Sequence, residues 1–184
     1  RHNREEKGRA AHGDHPAMDL GNLQIGIDLG LDFEKFAVSS QNGEKVAGTW
    51  VVFTWSEPMV KLLKRVGMDF YILDVEHGPF GYEKIFRMIN ASRHAGIACW
   101  LRIRDIDKEI SHYLDMGADG IVVPLVETRE QAEALVHYGR FMPEGERNIS
   151  TASNQNDYQI VKAPEWLEER NKQISLIVMI ETPK

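Results

Sequence analysis

The chain has 184 residues, 42% of them hydrophobic and 27% charged, with a formal net charge of -6. That is enough for one domain with a real core. No basic stripe is present, so a nucleic-acid partner is not expected. No apolar run approaches the roughly 18 residues of a membrane span, and no signal peptide opens the chain. The single cysteine, Cys99, lies in an apolar run and cannot form an internal disulfide. It reads as a small core residue, and a reducing cytoplasm is the expected compartment.

Residues 1–17 are polar and hold three of the seven histidines, without metal-ligand spacing. They read as a disordered or vector-derived leader, with Met18 a plausible natural start. Residues 18–45 read as an N-terminal extension. Leu23 to Gly30 is similar to the Asp-x-Gly phosphate loop of actin-like ATPases, but the companion motifs of that fold are absent. A short strand or turn is expected there instead.

From Val46 the pattern is regular. The run Val46 to Phe53 reads as a strand. Ser56 then offers an N-cap, with Glu57 and Pro58 in the first turn, and Gly67 closes a helix carrying Met59, Leu62, Leu63 and Val66 at helical spacing. Phe70 to Asp74 reads as a strand and Tyr82 to Ala95 as a helix whose Ile85, Phe86, Ile89 and Asn90 share a face. Ala98 to Ile103 is a strand, Lys108 to Met116 a helix stopped by Gly117, and Gly120 to Pro124 a strand. Thr128 caps a helix to His137. A long loop follows, with Asn154 to Tyr158 a polar stretch and Glu168-Glu169-Arg170 a solvated helix face. Ile174 to Ile180 is a last strand, ending at Glu181. Trp55, Trp100 and Trp166 read as packing residues.

Strands alternate with helices and their runs are continuously apolar, which argues for a parallel sheet covered on both faces. Five strands are visible, where a closed (β/α)8 barrel takes about 250 residues. A smaller doubly wound sheet is one solution. A TIM-barrel type α/β fold truncated after about five strands is the other, favoured because the chain stops just after a strand. On that view residues 46–184 are a partial barrel domain.

Ionisable groups collect at the strand ends. Asp74, Glu76 and His77 end the second strand before Gly78-Pro79, Arg102 and Arg104 end the third, and Glu181 ends the fifth. Parallel sheets present their chemistry at this carboxyl edge.

The same residues carry a resemblance. Gly48-Thr49-Trp50, Asp74-Val75-Glu76-His77-Gly78-Pro79, Leu101-Arg102-Ile103, Leu114-Asp115-Met116-Gly117-Ala118, Val122-Val123-Pro124, Pro143-Glu144-Gly145-Glu146-Arg147 and Ile180-Glu181-Thr182 occur in the order and spacing of the HpcH/HpaI aldolases. The chain resembles that family from about Val46 onward. The resemblance implies a (β/α)8 barrel assembled as a homo-oligomer, usually a hexamer. It implies a metal-dependent, class II carbon-carbon lyase acting on a 2-oxo acid and an aldehyde through a pyruvate enolate. Citrate-forming condensation, acyl-CoA thioester lyase action and a non-catalytic truncated barrel are the alternatives.

The resemblance also implies roles. Arg102 would bind the 2-oxo acid and stabilise its enolate, its guanidinium being permanently charged and forked. A simple salt bridge from Arg102 to Asp74 is the rival reading. His77 would be the base, directly or through water, with Asp115 holding its tautomer as the second half of a dyad. Trp50 would wall the substrate pocket. Glu181 would be a ligand to a divalent metal, Mg²⁺ or Mn²⁺. Three positions depart from the family pattern. Met179 replaces a frequent glutamine, Asn148 replaces a glycine, and the second metal carboxylate, on a sixth strand, is expected beyond Lys184.

Overall fold

A computed structural model describes residues 46–150 and 152–182. The expectations for residues 1–17 and 18–45 lie outside these. The elements are β1 (Gly48–Val51), α1 (Glu57–Arg65), β2 (Phe70–Asp74), α2 (Tyr82–Ala95), β3 (Ala98–Arg102), α3 (Glu109–Asp115), β4 (Gly120–Val123), α4 (Arg129–Gly139), a 3-10 turn (Asn154–Asn156), α5 (Ala163–Gln173) and β5 (Ser175–Val178).

All strand pairs are parallel and the sheet order is β1-β2-β3-β4-β5. Each strand therefore lies beside its neighbour in sequence. A doubly wound sheet reverses its order at a switch point. No reversal occurs here, so the five units follow one another as in a (β/α) barrel.

Local chemistry sets the helix ends. Ser56 accepts a hydrogen bond from the Met59 amide, and Pro58 sits in the first turn, where its missing N–H costs nothing. Thr128 and Gln131 form a reciprocal capping box on α4. Gly96 ends α2 in the left-handed conformation, at φ 66°.

The sheet has two apolar faces. Tyr71, Leu73, Cys99, Leu101, Ile121 and Val123 join Ile85, Met88, Ile89 and Leu114 of the helices in the main core. Ala98, Trp100, Val122 and Ile177, with Phe70, Ile72 and Met179, form a second cluster on the opposite face. Trp100 stacks on Phe70 with ring centroids 4.3 Å apart. Cys99 is a buried core residue as expected, its thiol pushed up to about 12, chiefly by burial.

Two segments differ from expectation. Helix α5 occupies part of the expected long loop, and its Arg170 and Asn171 are buried. Arg170 is thus no part of a solvated face, although Glu168 and Glu169 are exposed. Asn154, Gln155 and Asn156, expected in a polar loop, are buried as well. They serve as hydrogen-bonding fillers: Asn154 Nδ2 donates to the Met116 carbonyl at 2.7 Å, and Asn171 pairs with both backbone groups of Phe141. Such burial satisfies backbone groups and leaves no hydrophobic period to detect.

Beneath the amino edge of the sheet lies Asp119, fully enclosed. Its Oδ2 accepts from the Cys99 amide at 2.9 Å. Burial raises its carboxyl to about 6, restrained by that hydrogen bond and by Arg170 and Arg93. The folded value lies above the ordinary carboxylate value, so the folded state holds a proton that the unfolded chain releases above about pH 4. This group's contribution to stability is therefore present below about pH 4 and is lost as pH rises through about 6. Denaturation midpoints measured across that window should fall with rising pH, and Asp119→Asn should flatten the slope. Leu114→Ala, at a side chain with no solvent exposure, should cost roughly 2–5 kcal/mol by chemical denaturation.

Candidate active site

The carboxyl edge of the sheet is organised by one ion pair. Asp74 ends β2 and Arg102 ends β3, and the two are direct cross-strand partners. Arg102 Nε donates to Asp74 Oδ1 at 3.0 Å, and Nη2 makes a second, short hydrogen bond to Oδ2. Asp74 is fully buried. Burial alone would raise its carboxyl, but hydrogen bonds from Arg102 and from the His77 amide outweigh this and leave it below its ordinary value. The Asp74 carboxylate in turn raises the Arg102 guanidinium, fixing its charge.

Asp74 also shapes the loop that follows. Its Oδ1 accepts from the amides of Glu76 at 3.2 Å and His77 at 3.1 Å. The Gly78 amide donates to the Asp74 carbonyl at 2.9 Å. A Cβ on Gly78 would lie 2.3 Å from that carbonyl and 2.5 Å from the Val52 carbonyl. Only glycine lets the chain turn here.

Strand parity places the other groups. Trp50 lies opposite Ile72 in register, on the same face as Asp74 and Arg102. Its ring covers the guanidinium of Arg102, with 4.5 Å between Cζ and the ring centroid. Glu76 Oε2 stands 3.3 Å from Arg102 Nε and 3.6 Å from His77 Nε2. The His77 side chain is 63% exposed. Glu181 follows Ile177 and Met179 out of β5, and its Oε2 accepts from the Leu125 amide at 3.1 Å. Its charge reaches Arg102.

The structure thus brings Trp50, Asp74, Glu76, His77 and Arg102 together, with Glu181 on the same rim. It does not bring Asp115 to them. Asp115 ends α3, whose following turn leads into the amino edge of β4, while His77 lies beyond the carboxyl edge of β2. Asp115 instead binds Arg147 at 2.5 Å and Gln155 at 3.1 Å. Among the described residues of this chain, the contacts of Asp115 are with Arg147 and Gln155 and not with His77. The nearest carboxylate to the imidazole is Glu76, its neighbour in sequence, to which the strand-end pattern assigned no specific task. The rival reading of Arg102 as a strand-tying salt bridge is also realised, since the Asp74 pair does tie β2 to β3.

For a metal, the carboxylate of Glu181 and the excess of Asp74, Glu76 and Glu181 over Arg102 suit a hard divalent cation. Among the described residues no group of three or more His, Cys, Asp or Glu side chains is gathered to hold one.

On the helix side of the same rim lies a cavity of about 300 Å³, lined by Val75, Phe80, Tyr82, Arg104, Glu109 and Tyr113 among others. Tyr82 and Tyr113 both donate to the Glu109 carboxylate, at 2.6 and 3.2 Å. Arg102 and Trp50 are on the opposite face.

Comparison with known proteins agrees with this layout. The HpcH/HpaI aldolase/citrate lyase family profile matches residues 49–184. The chain is 30% identical to a 4-hydroxy-2-oxovalerate aldolase of Novosphingobium aromaticivorans, over 80% of this chain and 55% of that protein. A solved HpcH/HpaI aldolase from Desulfitobacterium hafniense superposes with a TM-score of 0.74 at 27% identity, covering 79% of this chain and 56% of that one. The citrate synthase SbnG superposes with a TM-score of 0.66 at 31% identity, covering 78% and 54%. The chain spans about half the length of each of these proteins. It belongs to the HpcH/HpaI aldolase/citrate lyase family.

Proposed function

We propose that the protein is a metal-dependent carbon-carbon lyase that cleaves or forms a 4-hydroxy-2-oxo acid through the enolate of pyruvate. The observation that carries this reading is the presentation of Arg102. Asp74 occupies its Nε and Nη2 donors and Trp50 covers one face. The Nη1 edge has no hydrogen bond among the described residues and is left for a ligand oxygen. A guanidinium immobilised on three sides is a preorganised site for the negative charge that develops as an enolate forms.

In this reading Arg102 binds the 2-oxo acid and holds its oxygen in place, and Trp50 excludes water from one side. His77 carries the proton, its exposure allowing exchange with solvent. Glu181 would hold the divalent ion, Mg²⁺ or Mn²⁺, which when bound polarises the keto oxygen. The substrates are a small 2-oxo acid and an aldehyde, and the cytoplasm suits the reduced, buried Cys99. Among the described residues no helix is long and apolar enough to cross a membrane. Self-association belongs to the same reading. Leu62 and Val66 on the outside of α1 are exposed and available for it.

A second reading is citrate-forming condensation, favoured by the 31% identity to SbnG. It needs an enolate at the same place, so the first experiment is common to both. Pyruvate incubated in D₂O with Mn²⁺ should exchange its methyl protons, followed by mass spectrometry. Arg102→Lys keeps the charge and removes the planar fork, and should lose about 10²–10³ in exchange rate. Glu181→Gln should raise the Mn²⁺ concentration needed for half-maximal exchange by tenfold or more, with the rate at saturating metal less affected. Metal-dependent exchange that survives Arg102→Lys unchanged would remove Arg102 from its role, and no exchange by the full-length protein would remove both enzyme readings.

A further inference from the structure

The ladder between β4 and β5 slips by one residue at its carboxyl end. It runs regularly to Val123, which pairs with Val178 and whose carbonyl accepts from the Met179 amide at 2.8 Å. In an even parallel ladder the Met179 carbonyl would next accept from the Leu125 amide. It accepts instead from Val126, at 3.2 Å. One extra residue therefore stands on the β4 side, which makes a β-bulge. The side chains record the same slip. Ile121 and Val123 face the main core, and Leu125 would be next in that alternation, yet Val126 is the residue buried there. Leu125 is 54% exposed and its backbone is left-handed, at φ 54°.

Burial does not hold a leucine in this position, and a Cβ disfavours the left-handed region. What the bulge yields is a spare amide. Released from the ladder, the Leu125 N–H donates to Glu181 Oε2 at 3.1 Å. The next residues are tied as well, with the Thr182 hydroxyl donating to Glu127 Oε1 at 2.6 Å. Glu181 has the strand parity of Ile177 and Met179, on the face that carries Arg102. Its Oε1 has no hydrogen bond among the described residues. The bulge thus fixes one oxygen of the carboxylate and leaves the other open.

We propose that Leu125 is a positioning residue for Glu181, its bulged, left-handed backbone aiming one amide at the carboxylate so that the remaining oxygen is offered to the divalent ion in a single direction. This rests on the reading of Glu181 as a metal ligand. A hydrogen bond to a ligating carboxylate restricts its rotation, and losing such a partner typically weakens metal binding about 10–100-fold. The role belongs to the backbone and not to the leucine side chain, and that sets the order expected of variants.

The test uses the full-length protein without substrate. Mn²⁺ binding is followed by electron paramagnetic resonance, and melting temperatures taken without metal show that each variant is folded. Leu125→Gly keeps the amide and suits a positive φ, so it should bind Mn²⁺ at least as tightly as the parent. Leu125→Val is β-branched and resists that conformation, so its Kd should rise tenfold or more. Replacing Leu125 by its α-hydroxy acid turns the amide into an ester, which keeps the side chain and deletes the N–H. The ester protein should also lose tenfold or more, and it decides the matter should the valine variant fail to fold. Affinity falling in the order Leu, Val, Gly would place the effect in the side chain and overturn the assignment. So would an ester protein within threefold of the parent Kd while Glu181→Gln weakens binding, an outcome that leaves the metal reading intact. Mn²⁺ binding unchanged by Glu181→Gln would remove Glu181 from the metal and overturn both.

Discussion

The two hydrogen bonds between Asp74 and Arg102 are the constraint on which the candidate site depends. They join β2 to β3 across adjacent strand ends, and the same Asp74 oxygen collects the amides of Glu76 and His77. One buried carboxylate thereby sets the strand register at the rim, the direction of the guanidinium and the path of the loop carrying the imidazole. Removing either partner would leave an uncompensated charge in an enclosed place, typically a loss of 3–5 kcal/mol. The pair is structural, and in the proposed reading it serves the function as well. Asp74 takes the donors of Arg102 that face the sheet, which is why only the outer edge remains for a ligand.

Much of the fold was legible because its signals are local. The run Phe70 to Asp74 and the helix Tyr82 to Ala95 have the bounds that apolar runs and the Gly96 stop predict. The other strands are shorter than their apolar runs, since pairing ends before hydrophobicity does: β5 is Ser175–Val178 within the run Ile174 to Ile180. Within α2, Met88 and Ser92 complete the buried face that Ile85 and Ile89 begin. Ser92 is concealed from a hydrophobic count because its hydroxyl is satisfied by Tyr71 and by the Met88 carbonyl. The gathering of Trp50, Asp74, Glu76, His77 and Arg102 was legible too. Ionisable residues at the ends of consecutive parallel strands must meet at one edge.

What the sequence conceals is the polar interior at the opposite edge. Buried Arg147 and Gln155 form one cluster with half-buried Asp115, with Arg147 Nη2 bridging the two acceptors and its guanidinium 4.4 Å over the ring of Phe141. Each partner comes from a different segment, and no spacing rule links them. The family pattern attached Asp115 to His77, and chain topology places it at the other end of the strands. The pairing of Asp119 with the Cys99 amide is hidden for the same reason: it is a long-range bond between a loop and a strand. Glu76 was visible as a strand-end acid, but its position between the imidazole of His77 and the guanidinium of Arg102 is revealed only by coordinates.

The most direct test of the account is a crystal structure of the full-length protein grown with Mn²⁺ and oxalate. The account predicts an oxalate carboxylate on the Nη1 edge of Arg102, beneath Trp50 and within hydrogen-bonding reach of the Glu76 loop, with the ion on Glu181. An Arg102 edge covered by protein, with oxalate and metal bound elsewhere, would contradict it.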